Sequence, residues 1–79
     1  MSTHDTVLDI LKELSATETI LPEQSLQDDL GLDSIQLVTI LIEIEDRFEI
    51  LLDESDMNPF ELTTVKDVVD LVERYEAAA

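Results

Sequence analysis

The sequence predicts an all-α fold: a small four-helix bundle with three longer helices, a short third helix and a long first loop. Three observations predict it. Apolar residues recur at intervals of three and four along separate stretches, the pattern of helices that bury one face. One glycine and two prolines leave too few turn residues for the many tight turns of a β-sandwich. Hydrophobic residues make up 44% of the 79, enough for one modest core and too many for a disordered acidic segment. A chain of this length is expected to form one domain over residues 1–79.

The first helix is expected from about Asp5 to Leu14, where Val7, Leu8, Leu11 and Leu14 share a stripe that Ile10 widens. From Ser15 to Asp33 the period is lost. Pro22 and Gly31 punctuate a loop that Ile20, Leu21, Leu26, Leu30 and Leu32 are expected to pin to the core. Irregular loops of this length are uncommon in small domains and are often functional. Ser34 to about Phe48 carries the strongest helical pattern, with Leu37, Val38, Leu41, Ile44 and Phe48 facing the core. A short helix is expected between Ser55 and Leu62, capped by Ser55 or Asp56, with Pro59 tolerated only in its first turn. The last helix begins at Thr64, whose hydroxyl caps it while Asp67 reaches back as a capping-box variant. Val65, Val68, Val69, Val72 and Tyr75 give its apolar face, and Ala77-Ala78-Ala79 is expected to fray.

Twenty acidic residues against four basic ones give a formal net charge of −16. Such a surface repels phosphate backbones and anionic lipid, so neither nucleic acid nor membrane is an expected partner. Proteins with basic patches are, and salt should weaken their attraction. The longest apolar runs, such as Ile40-Leu41-Ile42, are far too short to span a bilayer. The start, Met1-Ser2-Thr3-His4-Asp5, has neither the basic nor the apolar region of an export signal, so a cytoplasmic protein is expected; a monomer is the expected state.

Little in the chain points to catalysis. Without cysteine there is no disulfide, thiolate metal site or thiol nucleophile. The single histidine, His4, is expected to be solvated in a mobile N-terminus. The acidic clusters at Asp28-Asp29 and Asp53-Asp56 lack the glycine and terminal glutamate of a calcium loop. No metal site and no catalytic residue are therefore expected.

Asp33-Ser34 stands where the long loop meets the strongest helix. Both residue types are favoured N-caps, and the plain reading is that one of them satisfies an orphan N–H. A serine in a first turn is also exposed, and a phosphate on its oxygen would lie beside free N–H groups at the positive end of the helix dipole. Asp28, Asp29 and Asp33 oppose that gain, so the helix end permits a phosphate without requiring one.

Asp29-Leu30-Gly31-Leu32-Asp33-Ser34-Ile35 resembles the attachment motif of acyl carrier proteins, commonly G-x-D-S-L. The apolar spacing from Val38 to Phe48, Thr63-Thr64-Val65 before the last helix, the length and the acidity are similar to that family too. The resemblance thus spans essentially the whole chain. It implies an acyl-carrier-like bundle in which Ser34, preceded by Asp33, is esterified with 4′-phosphopantetheine by a phosphopantetheinyl transferase that uses coenzyme A. The arm ends in a thiol that would hold cargo as a thioester, which gives a chain without cysteine access to thioester chemistry. The implied partners are an acyltransferase or an adenylating acyl or aminoacyl ligase that loads the arm, and a synthase or downstream carrier protein that unloads it. A short Met-initiated chain without a linker is expected to be a free-standing carrier.

Around the main helix, Ile35 and Ile42 differ by about 20° in direction and lie roughly 120° or more from the core stripe. Either they pack under the loop from Leu26 to Leu32 or against the short third helix, or they form an apolar strip beside Ser34. The resemblance implies a docking face comprising Ile35, Gln36, Thr39, Ile42, Glu43 and Asp46, its carboxylates steering basic partners. Arg47 is expected to pair with Glu43 at helical spacing. Fatty-acid carriers commonly have acidic residues where Gln36 and Thr39 stand, which directs the reading toward polyketide-type or other specialised biosynthesis. Leu32 occupies a position where many peptidyl carriers have a second glycine, which argues against a nonribosomal peptide module. Ile44-Glu45-Asp46-Arg47-Phe48-Glu49-Ile50 is similar to D-alanyl carriers, so a dedicated aminoacyl carrier is the alternative within the family. An acidic protein-interaction module that does not use Ser34 is the alternative outside it.

Overall fold

The computed structural model describes residues 2–78. Three α-helices, α1 (Thr3–Ser15), α2 (Ser34–Phe48) and α3 (Val65–Ala78), enclose one core, and two single 3-10 turns, Glu54–Asp56 and Pro59–Glu61, lie between α2 and α3. Helix α1 packs against both α2 and α3, and the second 3-10 turn packs against α2. Among the described residues there is no strand, only one antiparallel bridge between Ser25 and Thr64.

Each helix begins where a side chain meets its free N–H groups. The Ser2 hydroxyl accepts from the Asp5 N–H at 3.2 Å, which starts α1 two residues before Asp5 and puts His4 on the helix, exposed, rather than in a loose N-terminus. At α3 the Asp67 carboxylate accepts from the Thr63 and Thr64 N–H groups, each at 3.0 Å, while the Thr64 hydroxyl accepts from the Asp67 N–H at 3.3 Å. That is the reciprocal box the sequence predicts. α3 continues through Ala77 and Ala78, and Ala79 lies outside the described residues, as does Met1.

The core takes Val7, Ile10 and Leu11 from α1, Leu37, Ile40, Leu41 and Ile44 from α2, and Val65, Val68, Leu71 and Val72 from α3. Ile40 and Leu71 are buried although they fall outside the predicted stripes, whereas Val38 is 37% exposed and Val69, Tyr75 and Phe48 are half-buried. The reason on α2 is directional. The helix is covered on two sides, and its buried arc is centred near Leu37 and Ile44, leaving Val38 about 100° away at the edge.

The first loop is built rather than loose. Ile20, Leu26, Leu30 and Leu32 are buried in the core, while Leu21 is exposed. The Leu26 N–H donates to the Thr63 carbonyl at 2.9 Å, the Val65 N–H to the Gln24 carbonyl at 3.1 Å and the Lys66 N–H to the Pro22 carbonyl at 2.9 Å. These bonds sew the loop to the start of α3. Gly31 then turns the chain toward α2 at φ +70°, in the left-handed region that costs side chains energy.

The predicted short third helix is two separate 3-10 turns. Pro59 has no N–H and restrains Asn58 to an extended conformation, which breaks any continuous helix there. Asn58, not Ser55 or Asp56, is the side-chain cap, accepting from the Phe60 N–H at 3.0 Å. Asp56 has another task. Its carboxylate accepts from the Tyr75 hydroxyl at 2.5 Å and from Arg74 at 3.1 Å, while the Asp53 N–H donates to the Tyr75 oxygen at 2.8 Å. This clasp ties the segment between α2 and α3 onto α3. On the other side, the Leu52 N–H donates to the Glu45 carboxylate at 2.9 Å.

Candidate attachment site and docking face

The start of α2 is held by a complete capping box. The Asp33 carboxylate accepts from the Gln36 N–H at 2.8 Å, and the Gln36 side-chain carbonyl accepts from the Asp33 N–H at 3.1 Å. Asp33 itself is extended, and its backbone carbonyl accepts from the Leu37 N–H at 3.0 Å. Of the two cap candidates, Asp33 therefore does the capping. Ser34 is the first residue of the helix, exposed, and its hydroxyl makes no hydrogen bond to the described residues. The N–H groups of Ser34 and Ile35 likewise find no acceptor among them.

The carboxylates that oppose a phosphate, Asp28, Asp29 and Asp33, lie in the loop and at the cap and not within α2. The first turn of α2 holds no acidic side chain. Asp33 is committed to the cap, and Asp29 accepts from the Ser25 N–H at 2.7 Å, inside its own loop. An exposed, unbonded hydroxyl beside two free N–H groups at a helix N-terminus fits a phosphate ester.

Over two turns of α2, from Ile35 to Ile42, an apolar strip is open. Ile35 is 75% exposed and Ile42 54%, so neither packs under the loop or the 3-10 turns. Val38, counted with the core by periodicity, joins the exposed side. Leu51 and Phe60 are also exposed, on the segment between α2 and α3. No repeat period flags them, because that segment has none.

The polar residues expected on this face divide. Asp46 is exposed. Glu43 is paired with Arg47 at 3.0 Å, and Arg47 also reaches Glu13 of α1 at 2.8 Å. The Glu43 hydrogen bond, with Glu13 adding its charge, holds the Arg47 guanidinium above its ordinary value. The Thr39 hydroxyl donates to the Ile35 carbonyl at 3.0 Å. Gln36 is turned into the structure, its amide nitrogen donating to the Leu14 carbonyl of α1 at 3.2 Å.

Elsewhere, a cleft of about 220 Å³ lies between the second 3-10 turn and α3, lined by Asp56, Asn58, Asp67, Asp70 and Arg74 among others. None of the α2 site residues lines it. Among the described residues no cluster of His, Cys, Asp or Glu is arranged to hold a metal ion, and no helix is long and apolar enough to cross a membrane.

Residues 5–72 match the sequence model of a family described as the phosphopantetheine attachment site. An acyl carrier protein of Micrococcus luteus is 32% identical over 83 aligned positions, covering 98% of this chain and 100% of that protein. The chain belongs to the acyl carrier protein family. An acyl carrier protein of Myxococcus xanthus is 33% identical over 78 positions, covering 91% of this chain and 96% of its own. A meromycolate extension acyl carrier protein of Mycobacterium leprae is 33% identical over 72 positions, covering 89% of this chain and 61% of its own length. The three-helix architecture is that of an acyl-carrier bundle, and the cofactor of the family's attachment domain is covalently attached 4′-phosphopantetheine.

Proposed function

We propose that this acyl carrier protein is a single domain, residues 1–79, that bears 4′-phosphopantetheine on Ser34 and delivers acyl cargo without catalysing a reaction itself. The observation that carries the reading is the division of labour at the start of α2. Asp33 takes the cap, which leaves the Ser34 hydroxyl exposed and unbonded beside two free N–H groups in a first turn without acidic side chains. When bound, the cofactor supplies a thiol that holds cargo as a thioester. The chain's own residues position the attachment oxygen and present the surface that partners read.

That surface is Ile35, Val38 and Ile42 with Asp46 exposed beside them, bordered by the partly neutralised Glu43. The partners it suits are a phosphopantetheinyl transferase, a loading acyltransferase or adenylating ligase, and a synthase or downstream carrier, each with basic groups around an apolar patch. The pathway we assign is polyketide-type or other specialised biosynthesis, because neither Gln36 nor Thr39 supplies the carboxylate common in fatty-acid carriers.

Loading tests the reading. The phosphopantetheinylated chain is offered to malonyl or acyl transferases and, separately, to a D-alanine ligase, with Ser34→Ala beside each. Acyl loading that vanishes in Ser34→Ala is the expected result. Charging by the D-alanine ligase alone contradicts the pathway and favours the aminoacyl carrier. A Ser34→Ala chain that still supports its pathway contradicts the carrier role altogether.

A further inference from the structure

We infer that Gln36 is a positioning residue for the attachment serine, one side chain that caps two helices and fixes the start of α2 against the end of α1. This deepens the proposed function and rests on Ser34 being the attachment site. It also reassigns Gln36 from a docking contact to an internal strut.

The two ends of the amide have different partners. The side-chain carbonyl accepts from the Asp33 N–H at 3.1 Å, which closes the capping box of α2. The side-chain nitrogen donates to the Leu14 carbonyl at 3.2 Å. Leu14 sits in the last turn of α1, where carbonyls have no partner within the helix. The left-handed Ala16 closes that end by donating to the Lys12 carbonyl, which leaves the Leu14 carbonyl for Gln36. Asp33 and Gln36 flank Ser34, so the strut holds the serine's turn from both sides. It also closes the base of the long loop, whose ends are Ala16 and Asp33.

The chemistry needs an amide. A carboxylate accepts from the Asp33 N–H equally well but has no proton for the Leu14 carbonyl, and its charge repels that oxygen. A lysine donates but cannot accept. Glutamine, among the long side chains, does both.

The test separates the strut from docking by sign. The phosphopantetheinyl-transferase kinetics of unmodified wild type, Gln36→Glu and Gln36→Met are compared with coenzyme A and magnesium. A strut predicts that KM rises for both variants, by up to about three- to tenfold for Gln36→Glu, which loses one hydrogen bond, and by at least as much for Gln36→Met, which loses two, with kcat within twofold. Gln36→Glu should melt somewhat lower than wild type, because it loses the bond to the Leu14 carbonyl and adds charge to an acidic chain, but less low than Gln36→Met, because glutamate still closes the box. A docking role predicts the opposite for Gln36→Glu, since an added carboxylate should lower KM toward a basic partner. A lowered or unchanged KM in Gln36→Glu overturns the inference, whatever the stability of Gln36→Met.

A second readout does not depend on the function. In ¹⁵N-resolved NMR of the unmodified chain, Gln36→Glu should shift the amides of Ser34 and of Ser15–Thr17 together, on two segments distant in sequence. Shifts confined to residues next to position 36 overturn the strut. If wild-type Ser34 accepts no group, the attachment reading fails while this arm still reports on Gln36.

Discussion

Ser34 is chemically available because Asp33 relieves it of a structural duty. Serine and aspartate compete for the N-cap, and the hydrogen bond from the Gln36 N–H at 2.8 Å assigns it to Asp33. Asp33→Asn retains an acceptor at the cap and should leave stability nearly unchanged, whereas Asp33→Ala should cost about 1 kcal/mol in urea unfolding. Equal losses in the two variants would mean that the charge, not the cap, is what Asp33 contributes. Gly31 makes a second local demand. At φ +70° a Cβ meets nothing within 4 Å, so Gly31→Ala should cost only backbone strain, about 1 kcal/mol. A loss of several kcal/mol would imply a contact absent from this structure.

At the scale of the element, α2 carries buried core side chains on one face and the exposed Ile35 and Ile42, the proposed docking residues, on the other. Leu41→Ala should cost about 2–5 kcal/mol, while Ile42→Ala, at a residue 54% exposed, should leave the melting temperature nearly unchanged and weaken partner binding. Comparable destabilisation by both would show that Ile42 is packed. The clasp on α3 makes a pH prediction. The Tyr75 hydroxyl, and after it Arg74, holds the Asp56 carboxyl below the usual carboxylate range, and the same bond holds the Tyr75 phenol above its ordinary value. The lowered acid contributes stability above its unfolded pKa that is lost as pH falls through the depressed folded one. The raised phenol contributes stability below its unfolded pKa that is lost as pH rises through the raised one. Tyr75→Phe should therefore lower the melting temperature at neutral pH and by less in strong acid, where the bond to the Asp56 carboxylate is weakened while the bond from the Asp53 N–H remains. A constant difference down to that range would contradict the clasp.

These elements show what the sequence carried. The box at Thr64 and Asp67, the Glu43–Arg47 pair and the boundaries of α2 rest on neighbours three or four residues apart, which spacing reports directly. Ile40, Leu71 and the exposed edge at Val38 depend on which sides of a helix are covered, a tertiary fact. The amide of Gln36 and the carboxylate of Asp56 find partners 22 and 19 residues away, beyond any local pattern. The third helix misled for a local reason, because helix-compatible residues around Pro59 masked the break at Asn58.

For the whole molecule the governing quantity is the net charge of −16. It suits encounter with basic enzymes and strains the fold by self-repulsion. Moving from low to moderate salt should raise the melting temperature by screening like charges while slowing association with partners. A flat or falling melting temperature would contradict that balance. The central claim is that a bundle without catalytic groups serves by holding a borrowed thiol at Ser34. Intact mass after incubation with coenzyme A, magnesium and a broad-specificity phosphopantetheinyl transferase tests it most directly, with fragmentation to locate the adduct. The account predicts one phosphopantetheinyl group, on Ser34, and none on Ser34→Ala; no gain by a folded, previously unmodified chain, or an adduct on another residue, would contradict it.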